Sequence, residues 1–148
     1  MEKKYVFGNL DDWGLVLEQL KKMSESRELG NYQDELIRLL RFDQNWRLRE
    51  AAIESLPFVA NPGLDIAREV TSLITRKDLY YDVRILATQG LEKLVPTIVE
   101  NKAFDNDILK QFIQKIVAEM DDLLASPEPP KFHDALENAR VQFNKIQA

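Results

Sequence analysis

The sequence predicts an all-α fold. Seven segments between about residues 9 and 147 carry apolar side chains at the three- and four-residue spacing of a helix. No segment sustains the alternation of apolar and polar residues that a strand requires. The 5 glycines and 6 prolines of the 148-residue chain lie mostly between these segments, which argues against a turn-rich β fold. We therefore expect residues 1–148 to form a single helical domain.

The first two helices are predicted from caps and breakers. Asn9 or Asp11 can cap the first helix, whose apolar stripe begins at Trp13. Gly30 is predicted to end this helix, because glycine readily adopts the conformation that follows a helix. A second helix is predicted over about 31–41.

The middle of the chain predicts three more helices. Asp43 is expected to cap the third helix, and Pro57 must end or bend it because proline lacks a backbone donor. The fourth helix covers about 64–76. A fifth follows Asp78, and Pro96 is expected to kink or end it.

The C-terminal third predicts one long helix and a final one. A wide apolar stripe indicates the sixth helix over about 105–125. The proline-rich residues 126–130 form a stiff linker, and a C-terminal helix is expected within 131–147. The linker leaves open whether this helix covers its own chain or a neighbouring copy.

Composition excludes several functional classes. The chain has no cysteine, so it can form neither a disulfide framework nor a zinc–thiolate site. Its net charge is −5, with 20 basic residues interspersed among 25 acidic ones, so nucleic-acid binding is not expected. The absence of a long apolar run predicts no membrane span and a cytoplasmic location.

A repeat of 35 residues lies in the middle of the chain. The segment that begins at Asp43 matches the one that begins at Asp78. The matching pairs are Asp43 and Asp78, Leu48 and Val83, Arg49 and Arg84, Ala52 and Ala87, Ser55 and Gly90, and Leu56 and Leu91. Repeated units of this length indicate helical hairpins that stack and bury their apolar faces against one another.

Each matched position has a physical interpretation. The two aspartates cap helices after a tight turn, and the aliphatic pairs fill the core. The small residues let neighbouring helices approach closely. We expect Arg49 to brace adjacent units by pairing with Asp43, and Arg84 to do the same with Asp78, although both arginines could instead bind an anion.

This pattern resembles the HEAT repeat, in which an apolar helix end precedes an aspartate, a hydrophobic–arginine step and two small residues. The two clear copies cover about residues 36–94, and the segments 11–41 and 105–147 fit as degenerate or capping units. The resemblance implies a short right-handed α-α superhelix of about six to seven helices in antiparallel hairpins. It also implies that the second helix of each hairpin lines a concave surface.

That concave surface is the predicted binding site. Polar side chains lie on one side of the second, fourth and sixth helices, and together they would form a partly basic stripe. The predicted stripe consists of Asp34, Arg38, Arg41, Arg68, Ser72, Arg76, Lys110 and Gln114. Trp46, Tyr80 and Tyr81 are candidate aromatic anchors, because they lie near inter-repeat turns and aromatic side chains are common binding hot spots.

The sequence predicts neither a catalytic centre nor a cofactor or metal site. His133 is the only histidine and has no spaced histidine or cysteine companions. The adjacent pairs Asp11–Asp12 and Asp121–Asp122 project to different sides of a helix. The five glycines are isolated, so no phosphate-binding loop is expected.

The predicted function is noncatalytic protein–protein interaction, as an adaptor, scaffold or inhibitor. Three alternatives remain from the sequence. The first is an immunity-type neutraliser of a basic toxin or nuclease, since an acidic surface speeds association with a basic partner. The second is nucleic-acid binding through the local basic stripe, as in HEAT-like DNA glycosylases. The third is an enzyme of the kind that HEAT-like bilin lyases represent.

Overall fold

The computed structural model describes residues 6–147, and all regular structure within this range is helical. The α-helices are α1 (Trp13–Ser26), α2 (Gln33–Leu40), α3 (Trp46–Glu54), α4 (Leu64–Thr75), α5 (Tyr81–Glu100), α6 (Asn106–Leu124) and α7 (Pro130–Gln147). The predicted all-α class is confirmed for the described residues. None of the helices among them has the length and apolarity needed to cross a membrane.

The helices pack in two rows. In one row α1 contacts α3, α3 contacts α5 and α5 contacts α7. In the other row α2 contacts α4 and α4 contacts α6. Extensive contacts between α2 and α3, between α4 and α5, and between α6 and α7 join the rows. The helices from α2 to α7 therefore bury apolar side chains both within their own row and against the other row.

The repeated apolar positions lie at the centre of this packing. Leu48, Ala52 and Leu56 are almost completely buried, as are their counterparts Ala87 and Leu91. They belong to one continuous cluster of buried side chains that includes residues of all seven helices. Burial of a leucine side chain contributes about 1.5–3 kcal/mol, so these positions alone are a large part of the fold's stability.

The boundaries of α1 differ from the prediction. Asp12 precedes its first turn, and neither Asn9 nor Asp11 caps it. The Asn9 side chain instead accepts a hydrogen bond from the Asp11 backbone N–H at 3.0 Å, forming a local turn. The helix ends at Ser26 because Arg27 adopts the left-handed conformation with φ of 62°.

Gly30 does not end α1 but lies in a short 3-10 turn over Leu29–Tyr32. A Cβ atom at this position would lie 2.3 Å from the carbonyl oxygen of Ala60. Glycine is thus required by the close approach of two backbone segments rather than by a helix end.

The predicted aspartate caps are also wrong. Asn45 caps α3 by accepting a hydrogen bond from the Arg47 backbone N–H at 2.9 Å. Asp43 lies two residues upstream of this cap, and its carboxylate forms an ion pair with Arg49. Tyr80 occupies the cap position of α5 without a side-chain hydrogen bond, and Asp78 pairs with Arg76.

Three prolines show how position decides their effect. Pro57 follows the end of α3, as predicted, and lies in a short 3-10 turn. Pro96 does not end α5, which continues to Glu100 with its neighbour Val95 buried in the core. Pro130, expected in the linker, is the first residue of α7, where the missing N–H costs no helical hydrogen bond.

The C-terminal helix packs on its own chain. α7 lies against α5 and α6, and its core residues Phe132, Leu136, Ala139 and Phe143 are completely buried. A hydrogen bond of 2.8 Å from the Tyr81 hydroxyl to Glu128 also fastens the linker to α5. In this structure α7 thus covers the core of its own chain.

Replacing Gly30 with alanine should destabilise the fold, because the new Cβ would overlap the Ala60 carbonyl oxygen. We expect Gly30→Ala to lower the free energy of unfolding by about 1–3 kcal/mol in urea titrations. Gly14→Ala is the matched control, since nothing lies within 4 Å of its Cβ position. Equal stability of the two variants would contradict the close approach.

Candidate functional site

The predicted stripe lies along the row of α2, α4 and α6. Asp34 and Arg68 line a depression of about 290 Å³ between α2 and α4. Arg68 and Ser72 line a second depression, of about 280 Å³, between α4 and α6. Arg68 belongs to both, so the structure brings these three predicted residues onto one continuous surface.

The arginines of the stripe are paired with carboxylates. The ion pairs are Arg38–Glu35 at 2.9 Å, Arg41–Glu69 at 3.0 Å, Arg68–Asp65 at 3.1 Å and Arg76–Asp78 at 2.6 Å. Each arginine therefore has a negative charge beside it. The stripe exposes polar side chains without forming the strongly basic surface that phosphate binding requires.

The two predicted stripe residues on α6 lie beside the depressions rather than in them. Lys110 and Gln114 are exposed, but the wall that α6 contributes includes Phe112 and Lys115. The guanidinium carbon of Arg68 lies 5.7 Å from the centre of the Phe112 ring. Phe112 also belongs to the cluster of buried core side chains.

The three candidate aromatic anchors are exposed. Trp46 keeps 57% of its surface accessible, Tyr80 82% and Tyr81 40%. Tyr81 is nevertheless fixed by its hydrogen bond to Glu128, which raises the pKa of the tyrosine hydroxyl above its ordinary value. Tyr81 thus helps to hold the linker, whereas Trp46 and Tyr80 present their rings to solvent.

Trp46 belongs to a cluster that the sequence did not predict. The guanidinium carbon of Arg47 lies 5.6 Å from the centre of the Trp46 ring and 5.5 Å from that of Trp13. Trp13, predicted on the apolar stripe of the first helix, is 42% exposed. In the described part of the chain, no carboxylate pairs with Arg47. We call these three residues the Trp–Arg–Trp cluster.

A groove continues from this cluster along α1 and α3. Its volume is about 360 Å³, within the range of ligand-binding clefts. Leu17, Leu20, Ala51 and Phe58 give it an apolar lining, and Phe58 remains 52% exposed. Leu17 lies one turn beyond Trp13, and Ala51 lies one turn beyond Arg47. The cluster therefore lies at one end of this α1–α3 groove.

Arg49 and Arg84 are structural rather than anion-binding. The Arg49 guanidinium, on α3, donates to the carbonyl oxygen of Leu40 at 2.9 Å and to the Asp43 carboxylate. The expected pairing with Asp43 is confirmed. Arg84, on α5, donates to the carbonyl oxygen of Ile74 at 2.9 Å, but Asp78 is engaged by Arg76. The expected pairing of Arg84 with Asp78 is wrong.

Aromatic rings surround the Arg84 guanidinium. Its carbon lies 4.6 Å from the centre of the Phe132 ring and 5.2 Å from that of Tyr81. Arg84 is only 2% exposed, and its Nη2 atom has no hydrogen-bond partner among the described residues. The ring faces supply the negative potential that a carboxylate supplies to Arg49.

The two aspartates at the repeat junctions, Asp43 and Asp78, have lowered pKa values. The hydrogen bond from Arg49 holds the pKa of Asp43 below its ordinary value. The hydrogen bond from Arg76 does the same for the pKa of Asp78. Arg76 also lies 3.6 Å from Asp43, so it connects the two junctions electrostatically.

His133 is half-buried on α7. Among residues 6–147, no group of three or more histidine, aspartate or glutamate side chains is placed to hold a metal ion. Comparison of the chain with family models, curated proteins and solved structures gives no match.

Removing the Asp43 carboxylate should destabilise the fold in a pH-dependent way. Because its pKa is lowered in the folded state, its contribution is complete above the ordinary value of 3.8 and is lost as the pH falls through the folded value. We expect Asp43→Asn to lose about 0.5–1 kcal/mol at neutral pH, a value typical of a largely exposed ion pair.

Urea titrations at pH 7 and at successively lower pH values measure this effect. The difference between wild type and Asp43→Asn should shrink as the solution is acidified. Asp122→Asn, at an exposed position on α6, is the control and should not show that trend. A loss of stability that is independent of pH would contradict the role assigned to the Asp43 charge.

Proposed function

We propose that the chain is a short HEAT-like array that acts as a noncatalytic protein–protein interaction module. Two features of its packing support the array. Successive odd-numbered helices contact one another, and so do successive even-numbered ones. The arginine at the same repeat position in α3 and α5 donates to a carbonyl near the end of the preceding helix.

The small residues of the repeat, Ser55 and Gly90, also support a stacked array. A Cβ atom at Gly90 would lie 3.0 Å from Leu56 Cδ1 and 3.4 Å from Ile53 Cγ2. Glycine therefore allows α5 to approach α3 closely, as expected where two units stack. Ser55, its counterpart, is buried and bonds to the Ala52 carbonyl oxygen.

The proposed interaction function rests mainly on the Trp–Arg–Trp cluster. Tryptophan, tyrosine and arginine dominate binding hot spots, because they combine a large contact area with a polar group. Both tryptophans of the chain lie in this cluster, and 42% of the Trp13 surface and 57% of the Trp46 surface remain accessible. Such exposure is costly in water and is typical of surfaces that become covered by a partner.

The charges favour a protein over a nucleic acid as the partner. Four arginines of the predicted stripe already neutralise carboxylates of the same chain. Binding to phosphates would have to compete with these pairs on a molecule of net charge −5. A protein partner can instead use the apolar lining of the groove and the rings beside it.

Affinity capture from a lysate of cells that produce this chain tests the proposal. We expect wild type to retain a defined protein partner and Trp13→Ala/Trp46→Ala to lose about 90% or more of it, since two hot-spot residues are removed. Tyr80→Ala is the matched control, because it removes another exposed aromatic ring away from the cluster. Bound proteins are identified by mass spectrometry.

A second bait distinguishes binding at the Trp–Arg–Trp cluster from binding at the predicted stripe. Arg68→Ala/Lys110→Ala changes the predicted stripe and leaves the cluster intact. A partner lost only from this bait would locate binding on the row of α2, α4 and α6. If no bait retained a protein above background, the interaction function itself would be contradicted.

A further inference from the structure

We propose that the α1–α3 groove and the Trp–Arg–Trp cluster together bind one amphipathic helix of a partner protein. The helix carries an apolar stripe, a carboxylate that meets Arg47, and a basic side chain two to three turns away. This inference rests on the proposed interaction function and identifies its surface and the chemistry of its partner.

The shape of the groove fits a helix. Trp13 at the start of α1 lies beside Arg47 at the start of α3, and Glu25 and Glu54 near their ends line the same groove. The two helices therefore run in the same direction. The cluster and the groove together follow α1 from Trp13 to Ser24, a length of about 16 Å or three turns. An occupying helix can place apolar residues along this length at positions i, i+4 and i+7.

Arg47 selects a carboxylate at one end. Unlike the arginines of the predicted stripe, it pairs with no carboxylate in the described part of the chain. Both indole rings lie beside its guanidinium, 5.5 and 5.6 Å from the guanidinium carbon to the ring centres. A guanidinium prepared in this way forms strong, directional hydrogen bonds to a partner's aspartate or glutamate.

Two glutamates and one lysine, Lys21, line the other end of the groove, so its net charge is negative and opposite to that of Arg47. Glu54 lies two turns beyond Arg47 on α3, and Glu25 lies one turn beyond Lys21 on α1. Among the described residues, neither glutamate forms an ion pair. A basic side chain of the occupant would meet them. The order of charge along the groove thus favours an occupant with an acidic end at Arg47 and a basic end at the glutamates.

Selection from a displayed library of helical peptides tests this chemistry without a known partner. The peptides are about 16 residues long, enough for four turns, with an apolar stripe and randomised flanking positions. We expect wild type to enrich sequences with an acidic and a basic residue two to three turns apart. Trp13→Ala/Trp46→Ala is the counter-selection bait, so that only peptides specific to this surface are counted.

The two tryptophans provide a direct readout of where a selected peptide binds. Because the chain has only these two indole groups, both indole N–H signals in an NMR spectrum report on the cluster. Titration with a selected peptide should shift both signals together and saturably. Circular dichroism of the complex should show increased helix content if the peptide folds on binding.

Charge reversal at Arg47 then tests orientation. Arg47→Glu should weaken binding of the selected peptide about tenfold or more, since a charged hydrogen bond is lost and a repulsion added. The same variant should prefer a peptide in which the acidic residue is replaced by lysine. Lys110→Glu is the control: it changes net charge by the same amount on the other row of helices and should leave affinity within about twofold.

Several results would overturn the inference. They are a failure to enrich any peptide over the counter-selection bait, enrichment without the acid-to-base order, and equal effects of Arg47→Glu and Lys110→Glu. Concentration-dependent dimerisation that Arg47→Glu abolishes would assign the groove to a second copy of the chain instead. A lysate partner that still binds Trp13→Ala/Trp46→Ala would leave the proposed function standing and remove this surface from it.

Discussion

The stacking of the helical units depends on how carbonyl oxygens at the ends of α2 and α4 are satisfied. A helix leaves its last four carbonyls without internal partners, and burial of such a group costs free energy. Arg49 donates to Leu40 and Arg84 donates to Ile74, so an arginine of the following helix takes up one of these oxygens in each unit. Its positive charge also lies at the negative end of the helix dipole. The same contact fixes how one helix turns into the next.

This junction determines where binding surfaces can form. Because it repeats after 35 residues, the odd-numbered helices lie side by side, and a groove is left where α1 and α3 meet. Side chains that face outward along that groove cannot be buried in the core. Trp13 and Trp46 therefore share the Arg47 cation, and Phe58 remains half-exposed at the other end. The depressions of the opposite row are more polar and internally paired, so the two rows differ in the partners they favour.

Much of the fold could be predicted from the sequence, because helical spacing and the repeat both report burial. Helix number, the core positions and the Arg49–Asp43 pair follow from such local patterns. Contacts between distant residues could not be predicted. Arg84 meets Phe132, far along the chain, whereas its expected partner Asp78 pairs with Arg76. The spacing that identifies an apolar stripe cannot separate its centre from its edge, so it does not show that Trp13, at the start of the stripe, stays partly exposed. Pairing of the stripe's arginines likewise depends on which acidic side chains the fold brings beside them.

The position of Arg84 under α7 has a consequence for the growing chain. During synthesis α5 emerges well before α7, so the face that Phe132 will cover is open to water while the linker is made. An entirely apolar face would attract other unfinished chains at this stage. A guanidinium at its centre remains hydrated until the Phe132 ring arrives, and the ring then replaces that water with its own negative face. A charge that is buried in the finished protein thus makes this face of α5 less apolar while α7 is still missing.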